Sequence, residues 1–225
     1  MEKYKLHHLI LIIASVIFTG IGLLWIFHYI IPNPYPNEEY YLLLMMYLVM
    51  LGSTAIIFKT KKLKPIHAII GFKSIKFKPV SFAFMIAFVI WGIDYFYQTI
   101  FLDIDIKIEA TNWYENQANL LVVFFSTVIF TPIIEEMLFR GIILQSLNQY
   151  LSKIWSAITL SVVFALIHID FLQAPINLSQ VPTLIFASLI YVWLTYKYKS
   201  IIPAIIAHII NNCLTFFYYM SIIGI

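Results

Sequence analysis

The sequence predicts an all-α protein, a polytopic membrane bundle of about seven transmembrane helices. Of its 225 residues, 62% are hydrophobic and 11% are charged, whereas soluble domains are about half apolar and about a quarter charged. The apolar residues form long runs without the alternation of barrel strands, and lipid admits only helices or closed barrels. Lipid is therefore the predicted solvent for most of the surface.

Seven stretches are apolar enough to span, since a spanning helix needs about 20 residues. They lie at 9–31, 40–58, 80–102, 119–149, 154–170, 181–197 and 201–223. The count becomes eight if the basic segment near 66–72 enters the membrane. The first stretch follows a basic N-terminus, as in a signal peptide, but it is long enough to span and no small-residue cleavage site follows it. We expect it to remain as the first helix.

The charged residues predict the orientation. With seven spans, nearly all lysines fall on one side, and these are Lys3, Lys5, Lys59, Lys61, Lys62, Lys64, Lys73, Lys76, Lys78, Lys153, Lys197 and Lys199. The opposite loops are acidic, with Lys107 their only base. The positive-inside rule therefore places the N-terminus in the cytoplasm. Topology accounts for the net charge of +3, so no nucleic-acid partner is predicted.

Ionisable groups inside spans are costly and are functional candidates by default. They gather in the second half of the chain, at Glu135, Glu136, Arg140, His168 and His208, joined by the amides Asn211 and Asn212. We therefore divide the chain into N-terminal helices with a basic loop, 1–118, and a site-bearing helical core, 119–225. Asp94 is the other intramembrane acid, and it suits helix packing or a cavity equally.

The two adjacent acids of the fourth span are predicted to differ in role. In TPIIEEMLFRG, Glu136 and Arg140 are four residues apart and share a helical face, so they can neutralise each other. Glu135 points about 100° away and is left to face a cavity. Pro132 removes a backbone hydrogen bond just upstream, where a bend would open a polar pocket.

Two further helices can contribute to the same pocket. In FALIH, Phe164 and His168 share a face, and in HIINN, His208 and Asn212 do so, with Asn211 as a competitor. A carboxylate beside an imidazole can deprotonate a water, while a second imidazole and an amide can stabilise an oxyanion.

The same side chains also suit zinc, with Glu135, His168 and His208 as ligands and one open position. No cofactor is certain from the sequence, and Zn²⁺ is the candidate. Counting about 1.5 Å per residue from the span ends puts Glu135 and His208 toward the cytoplasmic half and His168 nearer the far side.

Three motifs carry a family resemblance: EExxxR at Glu135–Arg140, FxxxH at Phe164–His168 and HxxxN at His208–Asn212. In this order and on separate helices, they resemble the CAAX-protease and bacteriocin-processing (Abi) family of intramembrane proteases, which includes the type II CAAX prenyl proteases. The resemblance covers roughly residues 119–221.

The resemblance implies an endopeptidase. Glu135 would activate water beside His168, His208 and Asn212 would form the oxyanion pocket, and Glu136, Arg140 and Phe164 would support the site. A metalloprotease and a metal-free mechanism are both argued for the family, and we favour the metal-free one because Asn is a poor zinc ligand. The implied partner is a membrane-associated peptide or protein, CAAX-like, a peptide pheromone or bacteriocin-related. A bacterial plasma membrane is the expected location, since the Ile, Lys, Phe, Tyr and Asn bias is typical of an AT-rich genome.

Two other functions remain open. A non-catalytic binding or bacteriocin self-immunity protein would keep the fold and tolerate Glu135→Ala. A small transporter would use Glu135 and His168 as a proton relay, although internal repeats and broken helix pairs are missing.

Overall fold

The computed structural model describes residues 77–102, 105–108, 120–169 and 178–224, with Met45, Leu48, Val49, Gly52 and Thr111 as isolated positions. All regular structure among these residues is helical. The described residues form five longer helices, here α1 to α5. They are α1 Phe77–Phe96, extended by a π-helical turn Tyr97–Phe101, α2 Leu120–Leu147, α3 Lys153–Leu166, α4 Val181–Tyr198 and α5 Ile202–Ile223.

Helix α2 changes its winding along its length. It is α-helical at Leu120–Val123, Thr131–Glu136 and Leu144–Leu147, and π-helical at Phe124–Phe130 and Met137–Ile143. π-helical stretches are rare in proteins, and those that occur are often found at functional sites. The central α-helical segment begins at Thr131, directly after the first π-helical run, and Pro132 is its second residue. Glu135 and Glu136 therefore lie on a short α-helical segment between two π-helical runs, whose turns are wider.

The described helices pack around four buried apolar clusters. Helix α5 contacts α1, α2 and α4, while α3 packs mainly on α4. Ala83 and Ala87 of α1 are fully buried in the same cluster as Ala204 and Ala207 of α5. Small residues let membrane helices approach closely, so α5 is held centrally between α1 and α2.

Three helices are long and apolar enough to cross a membrane, at Lys78–Phe101, Leu120–Leu147 and Ile202–Ile223. They correspond to the third, fourth and seventh predicted spans. The fifth predicted span forms the shorter apolar helix α3 and the sixth forms α4. The first predicted span, most of the second and the segment near 66–72 lie outside the described residues, so the count of seven or eight and the N-terminal orientation stay predictions.

The described lysines agree with the predicted charge partition. Lys197, near the end of α4, lies with its ammonium 4.1 Å from the ring centre of Phe82, in the second turn of α1. The Tyr196 hydroxyl, next to it on α4, donates to the backbone carbonyl of Lys153 at the start of α3. Lys78, Lys153, Lys197 and Lys199 consequently lie at one end of the bundle.

The predicted depth gap between Glu135 and His168 is wrong. Helices α2 and α3 form a hairpin, in which Glu135 lies twelve residues before the end of α2 and His168 fifteen residues after the start of α3. At about 1.5 Å per residue, both lie roughly 20 Å from the connection. The sequence estimate failed because it counted from uncertain span ends instead of from the short α2–α3 connection.

Candidate active site

The deepest element of the site is an ion pair within α2. Arg140 donates from Nη1 to Oε1 of Glu136 at 2.9 Å, and both side chains are fully buried. The second guanidinium nitrogen, Nη2, donates to Oγ of Ser188 on α4 at 2.8 Å. The predicted i, i+4 pair is therefore confirmed, and it also ties α2 to α4.

Phe164 packs at the centre of these groups. Its ring lies 4.6 Å from the Arg140 Cζ, a cation–π arrangement, and 5.2 Å from the Phe139 ring in a T-shaped contact. Its backbone carbonyl accepts from Nδ1 of His168 at 2.6 Å, and the two rings are 4.5 Å apart. Phe164 thus orients one imidazole while it covers the ion pair.

His208 contacts both acids. Its Nδ1 lies 3.0 Å from Oε1 of Glu136, and its Nε2 lies 3.8 Å from Oε2 of Glu135. Tyr191 of α4 stacks on the His208 ring, with centroids 4.9 Å apart and planes 22° from parallel. The sequence predicted that His208 would meet Glu135, but it did not predict the bond to Glu136.

Glu135 is the point where three helices converge. Its Oε1 lies 3.5 Å from Nε2 of His168 and its Oε2 lies 3.8 Å from Nε2 of His208. The Glu135 side chain is 2% exposed and that of His208 is 10% exposed, whereas that of His168 is 29% exposed. Among the described residues of the site, His168 is therefore the one that borders the surface.

Hydrogen bonding fixes the Nδ1 position of both imidazoles. A backbone carbonyl and a carboxylate are acceptors only, so the hydrogen bonds assign the Nδ1 proton to His168 and to His208. Each Nε2 then faces a Glu135 oxygen, at a separation somewhat longer than a hydrogen bond. A water beside such a pair can reach both the carboxylate and an imidazole. The arrangement can hold and deprotonate a water at Glu135.

Asn212 lies one turn beyond His208 on α5. Its Nδ2 donates to the backbone carbonyl of Thr127 at 3.0 Å, in the first π-helical run of α2. One of its two amide hydrogens is thereby used, and one is left for another acceptor. Asn211, the other amide considered for the site, has a buried Oδ1 that makes no hydrogen bond to any described residue.

The structure brings together six of the seven predicted residues: Glu135, Glu136, Arg140, Phe164, His168 and His208. Asn212 joins them through the helix it shares with His208. The sequence analysis missed Ser188 and Tyr191 of α4. A signal was present, because Ser188, Tyr191 and Thr195 are polar, buried and spaced three and four apart on one face of an otherwise apolar helix.

The donor set for a metal is less favourable than the sequence suggested. Within the part of the chain that the structure describes, no three His, Cys, Asp or Glu side chains are grouped so that they could hold a metal ion. We therefore derive no chemical step through zinc.

The helices and the site define a membrane protein with buried carboxylates and imidazoles at the junction of α2, α3 and α5. Residues 117–214 match the family model described as Type II CAAX prenyl endopeptidase Rce1-like. This match covers all three motifs and confirms the family resemblance predicted from them. Neither the curated proteins nor the solved structures give a match to the chain.

Proposed function

We propose that the chain is an intramembrane endopeptidase that hydrolyses a peptide bond with water activated by Glu135. The observation that carries the proposal is a carboxylate, 2% exposed, with an Nε2 atom of two different histidines at 3.5 and 3.8 Å from its oxygens. Ionisable groups at this depth are costly. The family match over 117–214 supports a protease of the CAAX type.

The first step of the proposed reaction is proton transfer from water to Glu135. A neutral His168 that bonds Phe164 through Nδ1–H presents a lone pair at Nε2, so Glu135 and His168 can both accept from the same water. This holds the water oxygen with its lone pairs toward the substrate carbonyl carbon. Positioned general bases of this kind contribute about 10²–10⁴-fold to rate.

The second step is attack and collapse. The water oxygen bonds to the carbonyl carbon, and the carbonyl oxygen becomes an oxyanion. Glu135 then returns its proton to the amide nitrogen as the carbon–nitrogen bond breaks, which leaves one carboxylic acid and one amine. Atoms and charge balance without a further reactant.

His208 and Asn212 are the proposed oxyanion donors. Because Nδ1–H of His208 is bonded to Glu136, its Nε2 donates only when the ring carries two protons. The Tyr191 ring stacked at 4.9 Å holds the plane of this imidazole. Asn212 would use the amide hydrogen that does not go to Thr127.

Glu136, Arg140 and Phe164 are proposed to position the site without touching the substrate. The substrate is a membrane-associated peptide or protein and is proposed to enter past His168, the most exposed of the site side chains. CAAX-like, pheromone and bacteriocin-related peptides are the candidate substrates.

The test is cleavage of a membrane-peptide library by purified protein in nanodiscs. Wild type, Glu135→Ala and the exposed control Lys107→Ala are compared with and without chelator. We expect wild type and Lys107→Ala to cleave in both conditions and Glu135→Ala to be inactive. Chelator-sensitive cleavage would refute the metal-free mechanism. Absence of cleavage by all three, with Glu135→Ala still active in a cellular phenotype, would favour a non-catalytic binding protein.

A further inference from the structure

Asp94 is a second intramembrane acid that the proposed hydrolysis does not use. It lies on α1, within the span Lys78–Phe101. Its Oδ2 accepts from Nε2 of Gln98 at 2.8 Å. The carboxyl is therefore held in place by a neutral donor on its own helix.

No described cation offsets the charge of Asp94. The ion pairs of the described residues involve Glu135 and Glu136 with Arg140, His168 and His208. An ionised carboxylate in a membrane interior is costly unless it is paired. A positively charged ligand would supply the missing partner.

A small cavity lies beside Asp94, between α1 and α5. Its volume is about 10 Å³, which is enough for one group the size of a water molecule. The lining residues are Trp91, Asp94, Tyr95, Gln98, Ile106, Thr215, Tyr218 and Tyr219. The cavity therefore admits the end of a ligand and not a whole drug-sized molecule.

Aromatic rings form the walls of the cavity. The rings of Trp91 and Tyr95 are stacked, with centroids 5.8 Å apart and planes 14° from parallel. Tyr218 of α5 is edge-on to both, at 5.5 Å from each. The three rings are in contact with one another and form one aromatic wall of the cavity, and an aromatic ring can attract a cation.

We propose that this cavity binds the ammonium end of a ligand, with Asp94 as its counter-ion and the rings of Trp91, Tyr95 and Tyr218 as its aromatic wall. A compact –NH₃⁺ group matches the volume, and its three hydrogens match the acid and the neighbouring polar groups. The cavity lies toward the end of α1 that is opposite the lysine-rich end of the bundle. Two sources have this chemistry there: the ethanolamine head group of a lipid and a lysine side chain of a peptide that snorkels toward the interface.

The site does not depend on hydrolysis, so it can be tested independently of the protease proposal. Purified full-length protein in maltoside micelles is titrated with n-butylammonium chloride, and the thermal unfolding midpoint is followed. A ligand that binds the folded state raises the midpoint in a saturable way. We expect wild type to respond to n-butylammonium and not to the neutral n-butanol.

Three variants sharpen the assignment. Asp94→Asn keeps the side-chain volume and is expected to abolish the response. Trp91→Leu removes one ring and is expected to weaken binding about twofold to thirtyfold. Phe96→Leu removes an exposed ring of the same helix that does not line the cavity, and it is expected to respond as wild type does.

The two sources are separated by a second pair of measurements. Phosphatidylethanolamine is compared with phosphatidylglycerol in nanodiscs, and a lysine-containing membrane peptide with its norleucine analogue. If wild type prefers one of the two ammonium ligands over its control and Asp94→Asn does not, the site is supported and the source of its ligand is identified. An equal midpoint shift in wild type and Asp94→Asn, or an equal effect of n-butanol, would overturn the proposal. If wild type prefers neither ammonium ligand over its control, the proposal is overturned as well.

Discussion

Replacing Arg140 with methionine is expected to leave the Glu136 carboxylate without its guanidinium partner in a fully buried position. Arg140 and Glu136 are both 0% exposed and 2.9 Å apart. The same change removes the 2.8 Å bond to Ser188 and the cation–π contact with Phe164. Breaking a buried pair from one side costs about 3–5 kcal/mol, chiefly because a charge is left uncompensated.

The double variant Glu136→Gln/Arg140→Met separates that cost from the loss of contacts. Glutamine keeps an oxygen acceptor for His208 Nδ1 but carries no charge. We therefore expect the double variant to be more stable than Arg140→Met alone by about 1–3 kcal/mol.

The assay is denaturant-induced unfolding in mixed micelles, followed by circular dichroism. Lys107→Met is the control, since it removes an exposed cation far from the site. If the double variant is no more stable than Arg140→Met alone, the reasoning about an uncompensated charge is refuted.

Variants at three other residues test further contacts. Glu135→Gln removes a buried charge at constant volume, so it is expected to abolish cleavage without lowering the unfolding midpoint; a lowered midpoint together with lost cleavage would indicate a structural role. The Tyr191 hydroxyl has no hydrogen-bond partner among the described residues, so Tyr191→Phe should retain cleavage and leave the free energy of unfolding within about 1 kcal/mol of wild type. Tyr191→Leu, in contrast, removes the ring that stacks on His208 and should reduce the cleavage rate. Tyr196→Phe removes a 2.7 Å bond to Asn148 at the α2–α3 connection and should cost about 0.5–1.5 kcal/mol; unchanged unfolding would show that this bond does not stabilise the hairpin.

The helix positions could be predicted because apolar runs and local spacing determine them. The fourth span was expected at 119–149 and forms Leu120–Leu147. The Glu136–Arg140 pair and the shared face of Phe164 and His168 follow from three- and four-residue spacing alone. Local periodicity was therefore sufficient for contacts within one helix.

Contacts between helices could be predicted only in part. The convergence of Glu135, His168 and His208 was expected from their cost in a membrane, but the second role of His208 at Glu136 depends on how α5 is rotated against α2. Ser188 was missed because a serine within a span carries no charge and satisfies itself on its own backbone in many helices. The depth of His168 depends on where the α2–α3 connection lies, and composition alone does not give the exact residues of that connection.

The winding of α2 could not be predicted at all. The π-helical runs Phe124–Phe130 and Met137–Ile143 differ from α-helix only in hydrogen-bond register, and apolar sequences suit both. Pro132, which cannot donate a backbone hydrogen bond, marks the place where the winding changes. The sequence analysis had interpreted it as a bend.

The most direct test of the central claim is a single-turnover cleavage in H₂¹⁸O by wild type and Glu135→Gln. Water activated by Glu135 attacks the substrate carbonyl itself, so the account predicts one ¹⁸O in the new carboxyl group in the first turnover with wild type and no product with Glu135→Gln. An unlabelled first-turnover product would mean that an enzyme oxygen attacks the substrate. Labelled product from Glu135→Gln at the wild-type rate would mean that another group activates the water, and either result would contradict the account.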